Sequence, residues 1–552
     1  MVLSTSSDPS FLDIIRIAAP VGVGIASVFY LAKLTRDRNA VKGVPIPIPS
    51  IRAGDATHDT EYFENPDAFL LRCEEEYGPV FNCYLFGRQM IIVSDPLVRE
   101  VFLTEHLNFQ DVINEISGVQ AMTNGILKSH AKKGNKGIRQ LVSDNIFPNI
   151  SRFASRIEEN FRWALETNLG QCENKLIERP LEIIQLMVAR TTPSSFGAFA
   201  NKILPLLSEY KVASVLMGPE IAKNSDVINS FAACTADFAT VLGKDYKLRW
   251  WQTFTTKAKY NTLNPLQKHV KVLMDAATPV VLERRRQEKE AVEKGIPYDR
   301  PLDVLQMLLD NFDRYQFVDL EDICGHLLVL ALASVHATSD SATTLCTYLA
   351  TFPEHIERLY QEQQDVLGQV EKEHQELRQK KLESGEVANE QDFENTYLDP
   401  KNDRAFTTET VKKLVYMDSF VRECMRHKHE RLSLPHKART DVELGNGMVI
   451  PKGKQVIVNI RSVHHGEALQ GEDPTEFRPW RFVGKSKAAI KVSSGFLTFG
   501  MGSHACPGRF LAIYELKTFF SLMIASYSKI TLQEPPKTQA IPIGAGVLFT
   551  SR

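Results

Sequence analysis

With 65 lysines and arginines against 67 aspartates and glutamates, the 552-residue chain is nearly neutral, so nothing points to nucleic acid or another polyanion as partner. Hydrophobic residues at 43% and charged residues at 24% describe a globular protein with a large core and exclude a disordered or fibrous chain. The eight cysteines (73, 83, 172, 234, 324, 346, 424 and 506) are scattered without a CxxC pair, which argues against a disulfide framework or structural zinc and for a reducing compartment.

Ile17 to Ala32 is apolar, somewhat short of the roughly 20 residues that span a bilayer. Extension through Phe11 or Leu34 closes the gap if flanking charges snorkel. A cleaved signal peptide is the rival reading, but Lys33, Arg36, Arg38 and Lys42 follow the apolar run instead of preceding it. Residues 1–36 therefore read as a signal anchor with the bulk of the chain cytosolic. Residues 37–50 form a linker, stiffened by the alternating prolines of Gly43 to Ser50.

Asn65 to Tyr77 has the pattern of an amphipathic helix. Pro79 to Asp95 alternates and turns at Gly87-Arg88, a hairpin signal, and Pro96 to Leu103 resumes as helix. Asn108 to Leu127 lacks clear periodicity. Lys128 to Arg139 is basic and reads first as a solvated face. From Phe147 to Phe312 the pattern is almost entirely helical, and Glu283 to Glu293 is a mixed-charge exposed stretch.

Leu320 to Phe352 predicts a long helix, apolar on nearly every side and hence buried. At 1.5 Å per residue it would span roughly 50 Å. Ser334, His336, Thr338, Ser339 and Asp340 interrupt it. Gly368 to Asp403 is strongly charged, extending a helix and then a loop as a surface insertion. Thr408 to Arg426 predicts a helix on which Glu423 and Arg426 share a face. Taken alone, that spacing reads as an exposed ion pair of little worth. A strand region follows Pro435-His-Lys-Ala-Arg439 and turns at Gly445-Asn-Gly447; Phe477-Arg-Pro-Trp-Arg-Phe482 stands downstream.

Phe499-Gly-Met-Gly-Ser-His-Ala-Cys-Pro-Gly508 leads into an apolar helical run, Phe510 to Tyr527. Pro507 suits the first position of a helix. The helix dipole and its free N–H groups would favour a thiolate at Cys506. Gly502 and Gly508 allow the backbone to approach a large planar ligand, and Phe499 can shield the sulfur. These are the ingredients of a haem-thiolate site, in which thiolate pushes electron density onto iron. The competing reading is a buried, inert cysteine in a glycine-rich turn.

The decapeptide closely resembles the haem-binding loop of the cytochrome P450 family, Phe-x-x-Gly-x-x-x-Cys-x-Gly, at Phe499, Gly502, Cys506 and Gly508. Glu423-x-x-Arg426 and the segment ending Arg481-Phe482 are similar to two further family motifs and occur in family order. Val212 to Ser225 resembles a segment of membrane-anchored fungal members. The resemblance implies a mostly α fold with a small β portion, one catalytic domain over residues 51–552, with a charged surface insertion at about 368–403. It implies haem b (iron protoporphyrin IX) on Cys506. Arg439, His504 and His130 are the implied propionate contacts, and Glu423, Arg426 and Arg481 the implied buried network.

The family's long helix carries an acid–alcohol pair that helps deliver protons to dioxygen. Here His336 stands for the acid and Ala337 for the threonine, with Thr338 one position later. One residue is a rotation of about 100°, so Thr338 replaces it only if the helix bulges. Ser334, His336 and Thr338 are the candidate catalytic residues, and an ordered water is an alternative relay.

The implied activity is monooxygenation of a lipophilic small molecule (a terpenoid, steroid or related secondary metabolite) with O2 and NADPH-derived electrons. The implied partner is NADPH-cytochrome P450 reductase, with cytochrome b5 as a further candidate, at the endoplasmic reticulum membrane. Alternatives are an oxygen-independent enzyme on the same fold (peroxygenase, isomerase or dehydratase) and a non-catalytic haem-binding protein.

Overall fold

The computed structural model describes residues 58–552 except 87, 116–118, 132–136, 181–183, 185–212, 243–262, 387–405, 429–430 and 537–540. The anchor, the linker and the end of the charged insertion lie outside the described residues. The described residues form two compact units, one drawn from residues 58–109 and 431–459, the other from the described parts of 110–430 and 460–552.

The first unit is built on a five-stranded sheet. The expected hairpin pairs Val80–Leu85 with Arg88–Val93, from Val80 opposite Val93 to Leu85 opposite Arg88. Gln455–Asn459 adds in parallel to the second of these strands, Leu432–Ala438 joins it antiparallel, and the short Leu107–Asn108 closes the edge. Helix α1 (Pro66–Tyr77) starts at Asn65, whose side chain accepts the Ala68 N–H at 3.0 Å. It buries Phe69, Leu70 and Cys73 against Phe81, Cys83 and Ile92.

The second unit is helical. Its main described helices are α2 (Ile150–Asn168), α3 (Ser225–Leu242), α4 (Gln267–Lys294), α5 (Leu320–Thr351), α6 (Ile356–Glu383), α7 (Val415–His427) and α8 (Arg509–Ser526). A three-stranded sheet of Lys175–Ile177, Val547–Ser551 and Tyr527–Leu532 completes it. The Lys175–Ile177 strand carries no period of its own in the sequence; it exists because it pairs with a strand near the far end of the chain.

Helix α5 is the axis of this unit. Asp319 caps it by accepting the Asp322 N–H at 2.8 Å. It packs against α3, α4, α7 and α8, burying Leu327, Leu328, Ala331, Leu345, Cys346 and Leu349. It is long and apolar enough to cross a membrane, but those neighbours cover it as a core helix. The run of Thr343, Thr347 and Thr351 returns each hydroxyl to the carbonyl four residues back, so their oxygens cost nothing inside the core.

Two boundaries differ from expectation. Thr408 to Arg426 is two helices, broken at Leu414 (φ −73°, ψ 88°). The break is held from outside: Glu362 of α6 accepts the N–H groups of Tyr416 and Met417 at 2.6 and 2.9 Å, and Lys517 of α8 donates to the Leu414 carbonyl at 3.0 Å. A remote carboxylate thus does the work of an N-cap. Helix α8 begins at Arg509, so Pro507 lies in the turn before it instead of at its first position.

Candidate active site

Cys506 is the one exposed cysteine among the eight. Its loop folds back on itself: the Cys506 N–H donates to the Phe499 carbonyl at 2.8 Å, and the Gly500 N–H to the Leu497 carbonyl at 2.8 Å. Gly500 and Gly502 both sit at φ 66°, a conformation that disfavours any residue with a Cβ. Arg509 ties the loop down from the helix side, donating to the Cys506 carbonyl at 2.8 Å and to the Ile490 carbonyl at 3.2 Å. Phe499 is half-buried beside the loop.

Burial pushes the Cys506 thiol up, while the N–H groups of Gly508 and Arg509 and the guanidiniums of Arg509 and Arg139 pull it down. Desolvation is the largest of these influences even though the residue is exposed to solvent, so the helix end alone does not make a thiolate. A metal would, because a coordinating thiol is deprotonated outright.

Behind the loop stands a buried ion network. Arg426 is bidentate to Glu423, Nε to Oε2 at 2.7 Å and Nη2 to Oε1 at 2.8 Å. Arg481 Nε reaches Glu423 Oε1 at 3.1 Å, and the Arg478 N–H donates to the same oxygen at 2.9 Å. The remaining guanidinium N–H groups go to carbonyls: Arg426 to His464, Pro474 and Glu476, Arg481 to Glu472, Asp473 and Glu476. Two neighbours on α7, Glu423 and Arg426, and the distant Arg481 therefore pin the run from 464 to 482 against α7. Nothing about this pair is exposed, so the surface ion-pair reading does not apply.

In α5, Ala333 and Ala337 are exposed in the middle of a helix otherwise packed in the core. Four residues apart, they share one uncovered face. Ser334 donates to the Ala331 carbonyl at 3.2 Å, while Thr338 is buried. Thr338 thus points elsewhere than Ala337, as the 100° rotation between neighbours requires, and the helix runs through these residues without a bulge. The side chains of His336, His504 and His130 lie outside the described residues; the backbone of His130 belongs to a short turn, Lys128–Ala131, and that of His504 to another, Gly502–His504. Lys128 pairs with Asp319 at 2.7 Å, which answers part of the basic stretch by a structural contact. Arg439 is exposed just after strand Leu432–Ala438 in the first unit, with its N–H on the His106 carbonyl at 2.8 Å.

Three side chains around this loop are absent from the sequence-derived candidates: Arg422, His464 and Arg509. Arg422 is buried, donates to the Ala488 and Lys491 carbonyls at 2.7 and 3.1 Å, and lies over the rings of Phe482 and Phe496. Burial pulls its guanidinium down to about 10. The only signal in the sequence is a second arginine next to Glu423.

The donor set suits haem iron: one accessible sulfur, polarised by backbone N–H groups, at the head of a core helix, with an uncovered small-residue face on another helix of the same unit. A cytochrome P450 family profile matches residues 56–383 and 395–551, and the chain belongs to the cytochrome P450 family.

Its relatives include cytochrome P450 monooxygenase 71 of Postia placenta, 26% identical over 93% of this chain and 92% of that protein. Beta-amyrin 11-oxidase of Glycyrrhiza uralensis is 23% identical over 93% and 90%. The solved structure of retinoic acid bound cyanobacterial CYP120A1 shares the fold, with TM-score 0.58 and 18% identity over 93% of this chain and 100% of that one. Like the relatives named as monooxygenases, the protein is an oxidoreductase of this family.

Proposed function

We propose that the protein is a haem-thiolate monooxygenase that oxidises a lipophilic small molecule, a terpenoid, steroid or related secondary metabolite. The observation that carries this reading is Cys506, the exposed thiol at the head of α8, in a loop held by the Phe499 carbonyl and by Arg509. When bound there, haem supplies oxygen activation with electrons that originate in NADPH. The names of relatives such as beta-amyrin 11-oxidase of Glycyrrhiza uralensis support a terpenoid-like substrate.

The remaining roles belong to the same proposal. Cys506 holds the iron, Phe499 limits water at the sulfur, and Gly502 and Gly508 leave room for a planar ligand. Arg439, His504 and His130 carry the charge or hydrogen bonds for the propionates. Glu423, Arg426 and Arg481 hold the loop's support and take no part in the reaction. Ser334, His336 and Thr338 are the proton-carrying candidates of α5, Thr338 from a buried position off the face that Ala333 and Ala337 leave uncovered. Residues 1–36 anchor the protein in the endoplasmic reticulum membrane, residues 37–50 space it, and residues 51–552 form the catalytic domain that receives electrons from NADPH-cytochrome P450 reductase, with cytochrome b5 as a second donor.

Reduced-plus-CO spectroscopy tests the cofactor: a thiolate-type band is expected, lost in Cys506→Ala, and an unchanged spectrum in that variant sinks the assignment. Turnover with NADPH and reductase against peroxide alone tests the reaction. Activity with peroxide only, or with neither, rejects a monooxygenase.

A further inference from the structure

Four planar groups are stacked immediately before the cysteine loop. Phe482, the Arg422 guanidinium and Phe496 form the first three, with the guanidinium carbon 4.8 and 3.9 Å from the two ring centroids. The fourth is His464, whose ring lies 23° from parallel to Phe496 at 5.7 Å. Two members of this stack grip backbone. Arg422 takes the carbonyls of Ala488 and Lys491, and His464 Nε2 accepts the Leu497 N–H at 3.0 Å.

The grip continues to the sulfur through main-chain bonds: Leu497 accepts from Gly500, and Phe499 accepts from Cys506. From the other side, Arg509 joins Ile490, inside the run that Arg422 holds, to the Cys506 carbonyl. Among the described residues no carboxylate is bonded to Arg422, although Asp418 and Glu423 act on it through space, and its buried Nε has no partner. A buried cation so placed is costly to stability. What it does hold is this one stretch of main chain.

We propose that Arg422 is a positioning residue for Cys506: through the stack and the clamped run 488–497 it sets the direction and hydrogen bonding with which the sulfur is presented. The proposal rests on the haem-thiolate reading of Cys506. It differs from the role of the Glu423 network, which holds the run from 464 to 482. Lysine keeps the charge but loses both the flat stacking surface and the second carbonyl contact.

The test uses the full haem-loaded protein and the reduced CO complex. Wild-type protein is measured first; absence of its thiolate-type band overturns the Cys506 reading, and with it this proposal, before any variant is compared. Arg422→Lys and Phe496→Leu are then compared with it, the second removing the ring between Arg422 and His464 while keeping the arginine itself. Conversion of the thiolate-type band to the non-thiolate form is expected to quicken about tenfold in each. The double variant is expected to be no worse than either single change, since both cut one path. Thermal unfolding separates stability from positioning. Variants that convert at the wild-type rate while folded, or that convert only in step with unfolding, overturn the proposal. Should Arg422→Lys fail to fold, Phe496→Leu alone decides by the same two criteria.

Discussion

Glu423 accepts two bonds from Arg426, one from Arg481 and one from the Arg478 backbone, with no water-exposed face on either member of the Glu423–Arg426 pair. Removing its charge leaves two buried guanidiniums facing each other across a neutral amide. Glu423→Gln is therefore expected to cost about 3–5 kcal/mol, read as a lower denaturant midpoint, with haem released early in the titration. At Ala337 the expectation concerns coupling. Its side chain lies on the uncovered face of α5, whereas Thr338 is buried. Ala337→Thr places a hydroxyl on that face, and the ratio of product to NADPH consumed is expected to rise. An unchanged ratio would mean that His336, Thr338 or a water already carries the proton.

Among elements, the join between α5 and the helix Val119–Ile126 is the least forgiving. A Cβ on Gly325 would stand 2.1 Å from the Ile126 carbonyl oxygen, an approach that only glycine permits. Just beyond it, Asp322 accepts the N–H groups of Ser129 and Val318 at 3.2 and 3.1 Å, so the segment cannot slide away. Gly325→Ala is expected to destabilise by about 1–3 kcal/mol through overpacking, measured by chemical denaturation. The break at Leu414 teaches a related lesson. Local pattern over Thr408 to Arg426 is helical throughout, but Glu362 and Lys517 reward a turn there with bonds that a continuous helix would not offer.

For the molecule as a whole, two buried groups contribute opposing slopes to stability against pH. Burial pushes Glu515 of α8 up to about 8, so the folded chain keeps a proton that the unfolded chain sheds near its ordinary value of 4.5. Stability therefore falls as pH rises from 4.5 to about 8 and then levels. Glu515→Gln is expected to flatten that slope and to gain most above pH 8, as seen in denaturation midpoints against pH. His464 works in the other direction. Burial, then the charges of Arg426 and Arg422, push it down to about 3, so the unfolded chain takes up a proton that the folded chain refuses. That loss grows as pH falls from 6.5 toward 3, and His464→Gln is expected to reduce it, measured in the same titration.

How much of this was legible follows from what each feature depends on. The hairpin at Gly87-Arg88, the long core helix and the cysteine loop were readable because each is written in adjacent residues: alternation, an apolar run, a spaced motif. Cys506, Glu423, Arg426 and Arg481 were nameable as residues for the same reason. Arg422 and His464 were not, because an arginine between two rings and a histidine accepting a main-chain N–H leave no periodic mark. Sequence alone determined the family, the candidate cysteine and the order of the main helices, since these depend on local chemistry and chain-order motifs. Tertiary structure decided that the Glu423 pair is buried instead of exposed, that α5 leaves Ala333 and Ala337 uncovered while hiding Thr338, and that the thiol's own helix end is outweighed by burial. Desolvation and packing are set by neighbours distant in the chain, and only the folded molecule brings them together.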